Sequence, residues 1–410
     1  MQCGLLGRKL AHSYSPQIHR DLGSYAYNLF ELEPDALEGF LQSKDFKGLN
    51  VTIPYKKAVI PYCDTLTPIA QKLGAVNTIV CSEDSRLTGH NTDYFGFASM
   101  LQRSGLCIKN KKALVLGSGG ASNTVVCVLK EQGANVVVIS RSGENNYDNL
   151  HLHEDAALIV NATPVGMYPN TEESPVDLSA FPNLEGVLDL IYNPANTALL
   201  QQAQARNIVA INGLWMLVAQ AKESAEWFIG EPIPDYKISE IYNKLSLQMR
   251  NIVLIGMPGC GKTTIGKQLA LELNRSFVDS DLELESRYKA TIPDIFKTQG
   301  ESVFREYESS VLADLGKSGG NVLATGGGCI TIPKNYPSLH QNGIIIWIRR
   351  NIDVLPTEGR PLSQINDLQS MYDVRKPLYE KFADHIVDNN GSVEQTITRI
   401  YEILTKEAGK

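Results

Sequence analysis

Twice in this 410-residue chain an uninterrupted apolar strand runs into a glycine loop and then a helical pattern, first in "KKALVLGSGGASNTVVCVLKEQG" and again in "NIVLIGMPGCGKTTIGKQLALEL". A strand that is apolar on both faces must be covered on both, which suits a parallel sheet between helix layers. Glycines at the turn let backbone amides approach an anion at the helix N-terminus. Further runs of this kind, "NVVVIS", "ALIVNATP", "GVLDLIY", "IVAING" and "GIIIWI", alternate with helical patterns, so the chain reads as α/β.

The length exceeds that of a typical single domain, and two or three are expected. The clearest boundary is the polar, Pro-containing "GEPIPDYKISEIYNKLSLQMR" before the strand at Asn251; a subtler one falls between Asp93 and Leu106. The C-terminal "SVEQTITRIYEILTK" carries Ser392 and Gln395 at capping-box spacing, with Val393, Ile397, Ile400 and Leu404 on one face, and reads as a packing helix. A formal net charge of -7 speaks against nucleic acid or an anionic membrane as partner. Seven scattered cysteines, never in Cys-x-x-Cys spacing, read as reduced thiols in a cytoplasmic protein without a zinc site. The apolar runs are too short to cross a bilayer, and the N-terminus lacks a signal-peptide pattern.

In the front half, Gly117 and Gly119 permit a tight turn and close approach to a pyrophosphate, although a lone glycine motif serves equally as an ordinary turn. The second strand ends in Ser140, Arg141 and Ser142, where an NAD site places Asp or Glu; a guanidinium between hydroxyls suits a 2′-phosphate and favours NADP. Upstream stand "HSYSP" (His12 to Pro16), "NVTIPYK" (Asn50 to Lys56), "GAVNT" (Gly74 to Thr78) and "GHNTD" (Gly89 to Asp93). Singly these are loop chemistry. In this order, before a dinucleotide fold, they resemble the shikimate dehydrogenase family over Met1 to Lys244.

That resemblance implies that Ser13 and Ser15 hold a substrate carboxylate, and that Thr52, Asn77, Asp93 and Gln220 surround the ring hydroxyls with Tyr192 nearby. Lys56 and Asp93 would form the catalytic pair. Gly117, Ser118, Gly119, Gly120, Ala121, Ser140, Arg141, Ser142, Leu190 and Gly213 would line NADP. An ammonium stabilises and protonates the oxygen that gains charge on hydride addition, while a carboxylate holds the lysine and a neighbouring hydroxyl. Arg20 and Lys9 depart from the family's usual Asn and Pro, and the connection "SGENNYDNLHLHEDA" is short for a helix and strand.

In the back half, G-x-x-x-x-G-K-T is intact. The backbone of Gly259, Cys260, Gly261 and Lys262 would cradle phosphates, Lys262 would reach the β- and γ-phosphates, and Thr263 would bind magnesium, with Thr264 alongside. Asp279 and Asp281, two apart, are expected to project from one face of a strand. Arg305 and Arg375 offer bidentate capture of a carboxylate, though surface ion pairing is the usual use of an isolated arginine. With "GESVFREYE", "ATGGG", "GRPL" and "VRKPLYEKFADHIV", the stretch from Arg250 to about Asn390 resembles the shikimate kinase family. The resemblance implies that Asp281, Arg305, Arg375 and the backbone of Gly326, Gly327 and Gly328 hold shikimate. Asp279 would help place magnesium through water, and Arg360 would close over ATP from a lid.

Together these readings imply an α/β substrate domain (1-95), a Rossmann-like NADP domain (96-212), helices returning to the substrate domain (213-245) and a P-loop kinase domain with a parallel sheet (250-410). The implied activity is NADPH-dependent reduction of 3-dehydroshikimate followed by ATP-dependent phosphorylation of the shikimate 3-hydroxyl, with only small molecules as partners. A sensor that kept both folds and lost the chemistry is one alternative, but Lys56, Asp93, Lys262 and Asp281 are all present. A quinate/shikimate dehydrogenase using NAD is another, which Arg141 disfavours. Only "RRNIDVLPTE" separates "GIIIWI" from "GRPL", a short lid. Closure excludes water from the transferred phosphate. The trimmed lid is therefore expected to raise idle ATP hydrolysis or weaken ATP binding relative to a full-lidded relative, measured without shikimate; equality in both overturns this.

Overall fold

The computed structural model describes residues 2–10, 13–355 and 368–408; His12 and Arg360 lie outside these, as does much of the lid connection. Two compact units result: Met1–Val165, Ser174–Tyr192 and Gln202–Tyr242 form one, and Gly166–Glu173, Asn193–Gln201 and Asn243–Lys410 the other.

In the first unit, strands β1 (Gln2–Gly7), β2 (Ala26–Glu31), β3 (Gly48–Val51), β4 (Thr65–Leu66), β5 (Thr78–Cys81) and β6 (Leu87–His90) build a mixed sheet in the order β2-β1-β3-β5-β6-β4. Its helices are α1 (Ser15–Leu22), α2 (Leu37–Ser43) and α3 (Pro68–Leu73). Leu6, Leu41, Leu49, Tyr55, Val76 and Ile79 fill the core on one side. Helix α4 (Asp93–Ser104) runs unbroken through position 95 and leads to a second, wholly parallel sheet. Its strands β7 (Lys112–Leu116), β8 (Asn135–Ile139), β9 (Leu158–Asn161), β10 (Gly186–Asp189) and β11 (Val209–Ile211) lie in the order β11-β10-β9-β7-β8. Helices α5 (Gly120–Glu131) and α6 (Ala198–Ala205) connect them, followed by α7 (Leu214–Ile229) and α8 (Tyr236–Met249). These five strands are the apolar runs of the sequence. The short connection after Arg141 accommodates only a 3₁₀ helix, Tyr147–His153, before β9, so the sheet ends at β8.

The second unit holds a parallel sheet in the order β13-β14-β12-β15-β16, from β12 (Asn251–Ile255), β13 (Phe277–Asp279), β14 (Val322–Ala324), β15 (Gly343–Arg349) and β16 (His385–Asp388). Helices α9 (Lys262–Leu273), α10 (Ser280–Tyr288), α11 (Ile292–Lys317), α12 (Asn335–His340), α13 (Leu368–Phe382) and α14 (Val393–Ala408) surround it. The expected packing helix is α14: Ile397, Ile400 and Leu404 are buried, Val393 packs partly against the same core, and Ser392 and Gln395 exchange the two bonds of a capping box.

His19 on α1 is buried against the Tyr27 ring, with centroids 3.9 Å apart, and its Nδ1 lies 2.6 Å from the Tyr25 hydroxyl. Burial pushes the imidazole down to about 3. Unfolded, it titrates near 6.5, so between these values the unfolded chain binds a proton that the folded chain refuses, and stability falls as pH drops below about 6.5. Urea unfolding resolved by amide exchange in β1 to β3 should show a loss of about 2 kcal/mol between pH 7 and pH 5 that His19→Phe removes; an equal slope in the variant overturns this.

Candidate active sites

In the first unit, Lys56 follows β3 in a turn pinned by buried Tyr55, whose hydroxyl donates to the Leu32 carbonyl at 2.5 Å. The Lys56 carbonyl accepts from Val76 N at 2.8 Å, so the backbone is tied on both sides of the side chain. Lys56 Nζ donates to Asp93 Oδ2 at 2.6 Å, with the two side chains 31% and 16% exposed. Asp93 opens α4, where its negative charge suits the helix N-terminus, and its amide donates to Asn91 Oδ1 at 3.1 Å. Gly96, one turn on, lets α4 meet α7: a Cβ there would stand 2.7 Å from the Met216 carbonyl and 2.9 Å from Gln220 Cβ. This brings Gln220 to Thr92, whose hydroxyl donates to Gln220 Oε1 at 3.3 Å. Asn77 accepts from Thr92 N at 2.7 Å.

Ser13 and Ser15 share the turn into α1, where Ser15 N donates to Ser13 Oγ at 3.2 Å. Tyr14 between them meets the Tyr192 ring edge-on at 6.2 Å. Thr52 borders the same loop region: a Cβ on Gly7 would stand 2.7 Å from its Cγ2. Lys56, Asp93, Asn77 and Gln220 are thus linked by one chain of contacts, while Ser13, Ser15 and Tyr192 form a second group on the α1 turn.

The glycine turn follows β7 where the strand order reverses between β8 and β9, the place where α/β sheets open a crevice. Gly117 has φ of 103°, and a Cβ there would stand 2.9 Å from Thr163 Cγ2. Gly119 and Gly120 face open space, and the latter begins α5, with Ala121 in its first turn and Ser118 before it. Ser140, Arg141 and Ser142 follow the neighbouring strand, whose Ile139 carbonyl accepts from Gly117 N at 2.8 Å; Arg141 and Ser142 are exposed. Gly213 packs so tightly on Leu190 that a Cβ would stand 2.0 Å from its carbonyl oxygen. An open cradle at a helix N-terminus, with an exposed guanidinium beyond the next strand, fits a dinucleotide phosphate.

In the second unit a cleft of about 440 Å³ gathers Gly259, Gly261, Lys262, Thr263, Thr264, Asp279, Asp281, Arg305, Gly326, Gly327, Gly328 and Arg375. Cys260 is fully buried behind it, with its Sγ 4.0 Å from Lys262 Nζ. Gly256 and Gly261 have φ of 146° and 103°. Lys262 Nζ donates to the carbonyls of Gly256 and Met257 at 2.9 and 3.1 Å. The expectation of two aspartates on one strand face is corrected. β13 ends at Asp279, which caps α10 by accepting from Asp281 N at 3.1 Å, and Asp281 lies in the first turn of that helix. The pair converges through a capped helix rather than through strand alternation. Thr263 Oγ1 donates to Asp279 Oδ2 at 3.0 Å, an all-oxygen pair beside the phosphate loop. Such a site fits magnesium, which takes few protein ligands and completes its shell with phosphate and water. Among the described residues no cluster of three metal-ligating side chains exists.

Burial, then the charges of Asp279 and Glu308, push the Asp281 carboxyl up to about 6, and burial raises Glu308 as well. Arg305 donates to Glu308 at 2.8 Å, and Arg375 donates to the Gly327 carbonyl at 3.3 Å. Several groups carry the site without having been singled out for it. Phe296 and Phe304 line the cleft beside Glu308 of "GESVFREYE". Tyr379, one turn after Arg375, donates to the Gly327 carbonyl at 2.6 Å, and Asn389 donates to the Cys260 carbonyl at 2.7 Å, clamping the loop. The Arg375 to Tyr379 spacing was a usable signal; Asn389 had none, because its contact spans 129 residues.

A Cβ on Gly326 would stand 2.7 Å from Asp281 Oδ1 and 2.8 Å from Glu308 Oε1. Gly326→Ala should therefore displace both carboxylates and lower kcat/KM for phosphoryl transfer by roughly 10²-fold, with reductase turnover on the same chain unchanged. A kinase assay within threefold of wild type overturns this.

A family model for the shikimate dehydrogenase substrate binding domain matches residues 5–79, and one for shikimate kinase matches residues 258–405. The chain is 37% identical over 243 residues to a shikimate dehydrogenase (NADP(+)) of Clostridium beijerinckii, covering 54% of this chain and 90% of that protein. Among solved structures it resembles a chorismate mutase/shikimate 5-dehydrogenase fusion protein from Clostridium acetobutylicum, with TM-score 0.57 and 38% identity over 60% of this chain and 96% of that one. It also resembles the Thermus thermophilus shikimate 5-dehydrogenase in complex with NADP(H) and shikimate, with TM-score 0.55 and 32% identity over 60% and 99%. The chain is an enzyme that belongs to the shikimate dehydrogenase family and carries a shikimate kinase domain behind it.

Proposed function

We propose that this is a bifunctional enzyme: the first unit reduces 3-dehydroshikimate to shikimate with NADPH, and the second phosphorylates the new 3-hydroxyl with ATP and magnesium. The domains are 1-95, 96-212, 213-245 and 250-410 as read from the sequence. The observation that carries the reading is the joint presence of the Lys56–Asp93 pair at 2.6 Å and a cleft in which a phosphate loop faces Asp279, Asp281, Arg305 and Arg375.

NADPH would supply the hydride, held by the Gly117 to Ala121 turn and by Arg141. Lys56 protonates the carbonyl oxygen as charge develops on it. Asp93 holds the ammonium in place. Asn77 and Gln220 orient the ring through its hydroxyls, and Ser13 and Ser15 anchor its carboxylate.

ATP would supply the phosphoryl group, with Lys262, Thr263 and Asp279 arranged for its phosphates and for magnesium. Asp281, pushed up to about 6, is mostly ionised at pH 7 yet more basic than an ordinary aspartate, and accepts the proton of the attacking hydroxyl. Arg305 and Arg375 fix the carboxylate end of the acceptor, so the hydroxyl points at the phosphate loop.

Lys56→Ala should lower NADPH oxidation by 3-dehydroshikimate at least about 10³-fold and leave ATP-dependent phosphorylation of shikimate intact; Lys262→Ala should do the reverse. A wild-type chain that fails to give shikimate 3-phosphate from 3-dehydroshikimate, NADPH and ATP overturns the reading.

A further inference from the structure

Behind Lys56 and Asp93 lies an enclosed group of hydroxyls and amides. Asn50 on β3, Thr78 on β5, Thr92 before α4 and Ser224 on α7 are all at most 5% exposed. Ser224 Oγ sits at their centre. It donates to the Gln220 carbonyl at 2.9 Å, accepts from Asn50 Nδ2 at 2.7 Å, and lies 2.9 Å from both Thr78 Oγ1 and Thr92 Oγ1. A serine hydroxyl has one proton and two lone pairs. The carbonyl takes the proton and the Asn50 amide one lone pair, so a single lone pair remains for the two threonine protons.

The other acceptors for those protons are the two threonine oxygens themselves, 3.3 Å apart, and the groups that would face the substrate ring. Thr78 reaches Asn77 Oδ1 at 3.1 Å; Thr92 reaches Asn77 Oδ1 at 3.2 Å and Gln220 Oε1 at 3.3 Å. The Ser224 lone pair is the shorter option for both. It draws one threonine proton away from the amide oxygens, and those oxygens must stay available if ring hydroxyls are to donate to them.

We propose that Ser224 is a positioning residue for the reduction: it sets the proton arrangement at Thr78 and Thr92 and keeps one threonine proton off the Asn77 and Gln220 oxygens, leaving that acceptor capacity for the hydroxyls of the ring. The proposal rests on the dehydrogenase reading above. Without the Ser224 hydroxyl, the threonine proton it held must turn to the other threonine or to Asn77 Oδ1 and Gln220 Oε1, where it competes with the substrate.

Ser224→Ala in the full chain should raise the KM for 3-dehydroshikimate roughly tenfold while kcat and the KM for NADPH stay within about threefold. A loosened fold would instead move all three together and lower the near-ultraviolet circular dichroism. An unchanged KM for 3-dehydroshikimate, or parallel loss in all three parameters with the spectrum intact, overturns the proposal. If the alanine variant does not fold, Ser224→Cys, which keeps the side chain's shape with a weaker acceptor, is read by the same criteria. A wild-type chain that does not reduce 3-dehydroshikimate overturns the dehydrogenase reading and this proposal with it; an active wild type with an unaffected variant overturns the proposal alone.

Discussion

Backbone amides reach a phosphate only where no side chain stands between, and both cradles of this chain depend on that steric constraint. Each follows a strand whose two neighbours both come later in the chain and lie on opposite sides of it, β7 between β8 and β9, and β12 between β14 and β15. The loop must leave the sheet against the end of an adjacent strand. At Gly256 a Cβ would meet the Ile348 carbonyl at 2.4 Å, and at Gly117 the Thr163 methyl at 2.9 Å. Both glycines also hold φ values that L-residues rarely adopt. Topology therefore creates the crevice, and glycine keeps it open.

The same exclusion operates on the acceptor side of the kinase cleft, where it admits charge. Gly326 allows the Asp281 and Glu308 carboxylates to approach its Cα, and a Cβ on Gly328 would stand 2.5 Å from the Arg305 guanidinium. Burial raises the affinity of both carboxyls for protons, the Glu308 charge adds to this at Asp281, and Arg305 offsets part of it for Glu308. Removing one member of such a buried set leaves the others uncompensated, at about 3–5 kcal/mol by the usual measure. The arrangement is thus held by mutual dependence among Asp281, Arg305 and Glu308 rather than by any one strong pair.

What could be read from the sequence follows from the range of the interactions. The strands β7 to β12 and β15 are continuous apolar runs whose burial on both faces leaves a local signature. The P-loop is equally local, since its geometry is dictated within eight residues. The mixed sheet of β1 to β6 left a weaker trace: β3 to β6 have four residues or fewer and carry Asn50, Thr78 and His90, whose polar groups bond mainly to partners distant in the chain. The aspartate pair was located correctly in sequence but assigned the wrong geometry, because a period-two argument holds only while the strand continues, and β13 stops at Asp279. Asn389 and Ser224 left no signal at all. Each acts through bonds to residues more than a hundred positions away.

The two sites manage polarity in opposite ways, and this follows from the chemistry each must perform. The proposed ketone reduction needs one proton delivered to one oxygen; Lys56 is part-exposed and paired with Asp93, while the polar groups behind it are neutral hydroxyls and amides whose protons must be ordered. Phosphoryl transfer needs a large charge neutralised and an acceptor held in line, so its cleft carries fixed charges, with Glu308 and Arg375 buried and Asp281 shifted toward neutrality. An ordered set of hydroxyls discriminates by proton direction and tolerates little substitution at the points where a lone pair is already taken. A set of buried charges discriminates by sign and distance, and tolerates little change in the glycines that set those distances.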